Sequence, residues 1–349
     1  MPHPSAETAS TAPSVPAHEG LLDWARGTPS PGPACRPVGV CERRDQVHRV
    51  RELLGADALV LCREPADVEA TATLEGDPAL VGEELVLGDD LFVQVEAYAG
   101  AAYLPLVGPT LLRVTEPDDV ASLAGDLDAT AAGDLPPVLA DAQLQLADRC
   151  GLGAASCGGP RRRLHVDADG AVRTTPVGPV LGGPSATADE LDAAWRAAGG
   201  CTTTCVDPAV VAQLIDARTA RPGWTRVLTV LDLLHAMRAA VPGDWTAIGL
   251  GDDDAGDRAD LRPGAALWPV LLSGPDGPVL LSTDGRHRAA VGADAATLVD
   301  ALLATGSDGP AAARCAADLG IAPDVAVGAL GDLRAGLAAR GLELPGGQA

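Results

Sequence analysis

Apolar and polar residues follow a strand-like and then a helical spacing over residues 266–345. Short apolar runs that end at Asp-Gly turns predict three strands. Three later runs, with apolar residues spaced three and four positions apart, predict three helices that stop near Gly306, Gly320 and Gly341. The predicted strands are Leu267–Leu272, Pro278–Ser282 and Arg286–Val291. We therefore expect a winged-helix-like β3α3 module at this end of the chain.

The preceding residues show a different pattern. Residues 34–175 combine helical runs with short apolar runs such as Ala58–Cys62, which predicts a mixed α/β domain. Residues 185–250 are mainly helical in pattern, and Thr225–Val241 is apolar on most faces, as in a buried helix. Residues 1–33 are rich in Pro, Ser, Thr and Ala, which predicts a disordered tail. The expected fold class is α/β (α+β) with several domains.

Composition narrows the possible chemistry. The chain has 349 residues and a net charge of −23, and all of its 25 basic residues are arginine. A protein without lysine can form neither a Schiff-base nucleophile nor a Walker phosphate loop. The predicted C-terminal module has nine acidic residues against five arginines. Because duplex binding depends on neutralising phosphates, this balance disfavours nucleic acid as a partner.

The sequence also lacks recognisable targeting signals and a catalytic signature. Residues 1–33 lack the basic start and apolar centre of a secretory signal, and no uncharged apolar stretch reaches transmembrane length. Eight scattered cysteines are typical of reduced thiols in the cytoplasm. We therefore expect a cytoplasmic protein that has no membrane partner and is not an enzyme.

The C-terminal module resembles a known family. Its order of hairpin, third strand and three helices, with Ala-Ala-Arg-Gly-Leu-Glu-Leu at 338–344, is similar to the PqqD-like RiPP recognition element, which holds leader peptides of ribosomally made natural products. Its place at the end of a mid-sized chain without a catalytic signature is most similar to the recognition proteins of daptide biosynthesis. The resemblance to the recognition element covers about a quarter of the chain.

This resemblance implies a function and a binding site. The leader of a precursor peptide would pair with the third strand. The bound precursor would then be presented to an oxidoreductase and an aminotransferase of the same pathway. No cofactor is expected. A groove for leader side chains would lie beside the third helix. The implied peptide-binding residues are Arg286, His287, Arg288, Ala289, Ala290 and Val291 on the strand, and Val325, Leu330 and Arg334 on the helix.

Four central cysteines support an alternative function. The stretch from Cys157 through Arg163–Val172 to Cys201-Thr-Thr-Thr-Cys205 is similar to the SPASM auxiliary-cluster domain of radical SAM enzymes. Where such domains place another cysteine after the hairpin, this chain has Thr174 and Thr175. In this alternative the protein is a metalloprotein or enzyme with Cys150, Cys157, Cys201 and Cys205 as metal ligands. A winged-helix transcriptional regulator is a second alternative.

Overall fold

The computed structural model describes residues 16–28, 36–66, 68, 71–88, 91–104, 108–250, 258–262 and 265–346. Over these residues the chain is a mixed α/β protein with one large mixed sheet, one small antiparallel sheet and helices packed on both. This confirms the predicted mixed α/β class.

The large sheet has nine strands in the described residues, in the order β7-β6-β5-β4-β3-β2-β1-β8-β9. Its strands are β1 (Val38–Cys41), β2 (Leu59–Cys62), β3 (Thr71–Glu75), β4 (Glu84–Leu87), β5 (Leu91–Ala97), β6 (Thr110–Arg113), β7 (Leu144–Leu146), β8 (Arg163–Val166) and β9 (Val172–Arg173). Strand β1 lies between β2 and β8, with all three parallel, and every residue of β1, β2 and β8 is buried. Burial on both faces accounts for their continuous apolar runs.

Helices pack against this sheet, and further helices make up most of the middle and the end of the chain. They are α1 (Ala17–Arg26), α2 (Val47–Leu54), α3 (Tyr98–Ala101), α4 (Pro117–Ala131), α5 (Pro137–Ala140), α6 (Arg149–Leu152), α7 (Ala188–Ala197), α8 (Cys201–Thr204), α9 (Val211–Ala220), α10 (Trp224–Ala240), α11 (Ala293–Thr305), α12 (Asp308–Leu319) and α13 (Pro323–Ala338). Helix α10 is buried along most of its length, as its apolar pattern predicts.

Helix α1 corrects the prediction for the N-terminal tail. The prediction of disorder over residues 1–33 is wrong for Ala17–Arg26, which forms a helix that ends at Gly27 in the left-handed conformation. Trp24 in this helix is 2% exposed, and its indole N–H donates to the Leu164 carbonyl at 3.0 Å. A few apolar residues among polar ones were enough to bury this helix against the sheet. Residues 1–15 and 29–35 lie outside the described residues.

The small sheet lies in the C-terminal part of the chain, with strand order β10-β11-β12-β13. Its strands, all antiparallel to their neighbours, are β10 (Thr246–Ala247), β11 (Val270–Gly274), β12 (Gly277–Leu281) and β13 (Arg288–Ala290). The last three strands and helices α11–α13 occur in the predicted order, with bounds shifted by a few residues. Strand β10 was not predicted, because two residues carry no recognisable alternation.

Both faces of the small sheet are covered. Leu271, Leu280 and Ala289 pack into a core with helices α11–α13, whereas Val270 and Leu272 pack against α10 and Trp245 on the opposite face. The small sheet therefore packs against the helical middle of the chain as well as against α11–α13. The boundary predicted at residue 266 does not separate two independent cores.

Across the described residues, no helix is both long enough and apolar enough to span a lipid bilayer.

Candidate functional site

The predicted peptide-binding strand, β13, is the last strand of the small sheet. It pairs with β12, and among the described residues no strand pairs with its other side. Val291 N–H donates to the Pro278 carbonyl at 3.0 Å, and Ser282 N–H donates to the His287 carbonyl at 2.9 Å. Because antiparallel ladders alternate, the backbone groups of residues 287, 289 and 291 face β12.

It follows that Arg288 and Ala290 direct their backbone N–H and C=O groups away from β12. We call these outward-facing backbone groups the β13 edge. Both residues are exposed, whereas the intervening Ala289 is 5% exposed and packs into the core. The strand thus combines a fixed inner side with an open outer side.

The residues that flank the β13 edge are tied to the preceding turn. Arg286 lies 3.7 Å from the carboxylate of Asp284, and two-thirds of its side chain is exposed. His287 N–H donates to Ser282 Oγ at 3.0 Å. Gly341, just beyond α13, approaches His287 so closely that a Cβ atom there would lie 2.7 Å from the imidazole Nδ1. The chain after α13 therefore lies beside the start of β13.

The three predicted groove residues on α13 have different environments. Val325 is 54% exposed, and so is Val327, which sequence reasoning did not select. Leu330 is 1% exposed and belongs to the core with α11 and α12, so it supports the helix from inside. Arg334 forms an ion pair with Asp308 and donates to the Pro345 carbonyl at 2.6 Å. Val325 and Val327 are two positions apart in α13, so their exposed side chains point to different sides of the helix.

The second candidate site is formed by the four central cysteines, which the fold brings together. Their sulfur atoms all lie within 4.8 Å of one another. Cys150 lies in α6, Cys157 in the following loop, Cys201 at the start of α8 and Cys205 just after it. The Sγ atom of Cys157 is 3.6 Å from that of Cys201 and 3.8 Å from that of Cys205. We call this group the four-cysteine cluster.

Local backbone features make this approach possible. Gly151 in α6 lies against α8, where a Cβ atom would be 2.6 Å from Val206 and 3.2 Å from the Cys201 carbonyl. Gly200 precedes α8 with φ 71°, a conformation that most other residues adopt only with strain. Glycines at these two places allow α6 and α8 to come close enough for their thiols to meet.

Polar groups surround the four-cysteine cluster. Gly159 N–H donates to Cys157 Sγ at 3.4 Å, and Thr174 Oγ1 lies 3.4 Å from Cys205 Sγ. Ser156 Oγ lies 3.5 Å from Cys201 Sγ. Hydrogen bonds with Cys150, Cys157 and Cys205 lower the pKa of the Cys201 thiol. Hydrogen bonds among the same sulfurs raise the pKa of the Cys150 thiol, so the contacts among the sulfurs favour a thiolate at Cys201 at the expense of Cys150.

A buried ionic group adjoins the four-cysteine cluster. Asp148 accepts hydrogen bonds from Arg113 at 2.9 Å and from Arg163 at 2.6 Å, and all three residues are at most 5% exposed. Arg163 also lies over the Trp24 ring, 5.3 Å from its centroid, and its Nη1 atom is 4.0 Å from Cys150 Sγ. This arrangement places a guanidinium charge beside the cysteine sulfurs.

Comparison of the chain with protein-family models, with curated proteins and with solved structures finds no match.

Proposed function

We propose that the chain is a non-catalytic recognition protein that binds the leader of a ribosomally synthesised, daptide-type precursor and presents it to modifying enzymes. The observation that carries this proposal is the β13 edge. An extended leader segment adds to β13 as a fifth strand of the small sheet, a mode of recognition in which backbone hydrogen bonds provide much of the affinity.

Side chains around the β13 edge supply selectivity. Arg288 is exposed in a chain whose net charge is −23, so it is a cationic contact for acidic leader residues, whereas Arg286 already lies 3.7 Å from the carboxylate of Asp284. On α13, Val325 is an exposed apolar side chain that an aliphatic leader residue would contact. The buried Ala289 keeps the strand seated on the core while these contacts form.

The charges on α12 and α13 favour a peptide over DNA. Arg334 is paired with Asp308, and Arg314 lies 3.2 Å from the carboxylate of Asp300. Arginines that already have acidic partners offer little to phosphates, and Asp324 and Asp332 add negative charge to the helix that would enter a groove. These contacts support peptide recognition rather than the regulator alternative.

Titration of a labelled leader peptide tests the proposal. The probe is a synthetic leader from a short precursor encoded beside this chain's gene, followed by fluorescence anisotropy, with a scrambled peptide of the same composition as the control. We expect saturable binding of the leader at one peptide per chain and weaker binding of the scrambled peptide. Absence of binding, or equal binding of both peptides, would refute the proposal.

The full chain should be used in this titration. Removing residues 267–349 would expose the apolar face of α10, on which β11 and β12 pack. Loss of binding after such a deletion would therefore not distinguish a missing binding edge from a misfolded protein. Point substitutions in β13 avoid this ambiguity.

A further inference from the structure

We propose that the four-cysteine cluster is a binding site for a single Zn²⁺ ion, held by the thiolates of Cys150, Cys157, Cys201 and Cys205. The first argument is the spacing of the sulfurs. A Zn–S bond of about 2.3 Å in a regular tetrahedron places the sulfur atoms about 3.8 Å apart. The separations of 3.6 Å and 3.8 Å from Cys157 to Cys201 and Cys205 agree with this value.

The same spacing disfavours an iron–sulfur cluster. In such clusters the cysteine thiolates are distributed over separate iron atoms, with inorganic sulfide between them. The four sulfurs here all lie within 4.8 Å of one another, which leaves room for one ion at their centre. Tetrahedral coordination by four sulfurs around one ion is typical of zinc. The geometry thus separates this site from the cluster chemistry of the SPASM domain.

The number and burial of the ligands indicate a structural role. Catalytic zinc sites keep one position open for water or substrate, whereas structural sites use four protein ligands. Cys150, Cys157 and Cys205 are 3%, 7% and 0% exposed, and Cys201 is partly buried. The four thiolates therefore complete the coordination and leave no open position.

The surrounding polar groups fit a charged thiolate site. One divalent ion with four thiolates carries a net charge of about −2, which outer hydrogen-bond donors and cations stabilise. The Gly159 N–H and the Arg163 guanidinium reach the sulfurs of Cys157 and Cys150, and the Ser156 hydroxyl lies beside Cys201. The Thr174 hydroxyl donates to the Thr204 carbonyl and presents its oxygen to Cys205, so it is not a donor to that sulfur. Three of the four ligands thus have a donor beside them.

The ion would join two parts of the chain that are distant in sequence. Cys150 and Cys157 belong to the segment between β7 and β8 of the large sheet, whereas Cys201 is the first residue of α8 in the helical middle and Cys205 follows that helix. Zinc at this point fixes α8 against α6. Since this role does not involve β13, the proposal is independent of leader recognition.

Metal analysis of the full chain, purified anaerobically without chelators, tests the proposal. We expect one zinc per chain, no inorganic sulfide and, after replacement by Co²⁺, the intense visible absorption of tetrahedral cobalt thiolate. Cys201→Ala and Cys205→Ala should each lose the metal, whereas Cys315→Ala, which removes a buried thiol from the C-terminal module, should retain it. If a ligand variant fails to fold, alkylation of the parent followed by peptide mass spectrometry should label Cys150, Cys157, Cys201 and Cys205 only after a chelator has removed the zinc.

Three results would overturn the proposal. These are iron in place of zinc, with or without sulfide; a chain that contains no metal and whose eight cysteines, including these four, all titrate as free thiols in denaturant; and disulfides among the four cysteines in freshly purified protein. Retention of zinc by both ligand variants would also overturn it, because the ion would then lie elsewhere.

Discussion

Replacing Ala290 with proline should weaken leader binding while leaving the protein folded. The β13 edge offers two outward N–H groups, from Arg288 and Ala290, and proline removes one of them. A backbone hydrogen bond contributes about 0.5–1.5 kcal/mol net. Losing one therefore weakens binding by about 2-fold to 13-fold. The Ala290 side chain is exposed and its N–H takes no part in the ladder with β12, so proline there removes no hydrogen bond of the sheet and the protein should stay folded.

Proline at the neighbouring Ala289 provides the matched comparison. Ala289 faces Leu280 across the ladder, and its side chain is buried. Proline there leaves the Leu280 carbonyl without its partner, which costs about 1–3 kcal/mol. Ala290→Val adds bulk at the edge but keeps the N–H, and we expect it to bind as the parent does. Thermal unfolding by circular dichroism and leader anisotropy should be measured on all three variants.

Either of two results would refute this reasoning. If Ala290→Pro is folded and binds the leader with the affinity of the parent, the backbone of β13 does not pair with the peptide. If Ala290→Val weakens binding as much as Ala290→Pro does, the effect comes from bulk and not from the lost donor.

Three further changes test other parts of the structure. Arg288→Glu should weaken binding of a leader with acidic residues, and the difference from the parent should shrink as salt in the anisotropy titration is raised. Asp148→Asn should lower the free energy of unfolding in urea by about 3–5 kcal/mol, because two buried arginines lose their carboxylate; Asp128→Asn, at an exposed pair with Arg221, should cost less than about 1 kcal/mol. Burial lowers the pKa of His165 to about 4 in the folded protein. Between about pH 6.5 and 4 the imidazole is therefore protonated in the unfolded chain but neutral in the folded one, so the free energy of unfolding falls as the pH drops through this range. His165→Gln should reduce this pH dependence by about one proton; an unchanged slope would contradict the assignment.

The sequence predicts much of the C-terminal module because its signals are local. Gly306 and Gly320, which mark predicted helix ends, both adopt the left-handed conformation after α11 and α12. The same local signals do not reveal orientation. The apolar spacing of α13 shows that Leu330 shares a face with other apolar residues. Only the packing in the structure shows that this face is buried in the core and not open to a ligand. Likewise, the alternation in β13 does not tell which backbone groups face β12, because that depends on the pairing register.

The four-cysteine cluster depends on contacts over longer distances. The sequence shows the spacing of Cys150 to Cys157 and of Cys201 to Cys205, but not that α6 and α8 pack together. The sequence also has a threonine, Thr174, at a position where the SPASM domain would have another cysteine. In the fold, Thr174 lies beside Cys205 and contributes a hydroxyl, while Cys150 completes the group of four sulfurs. The set of ligands is therefore defined by tertiary structure.

The short strand β10 has a consequence for how many molecules the small sheet can accept. A sheet with two long open sides can add strands in both directions and grow into a polymer. Over the described residues, one side of the sheet ends in the two residues of β10, of which only Ala247 directs its backbone groups outward, and the other side ends in β13, with two such residues. Growth is thus favoured at β13. A second copy of the chain and a peptide ligand would have to compete for the same position, so occupation by a ligand would also limit self-association of the protein.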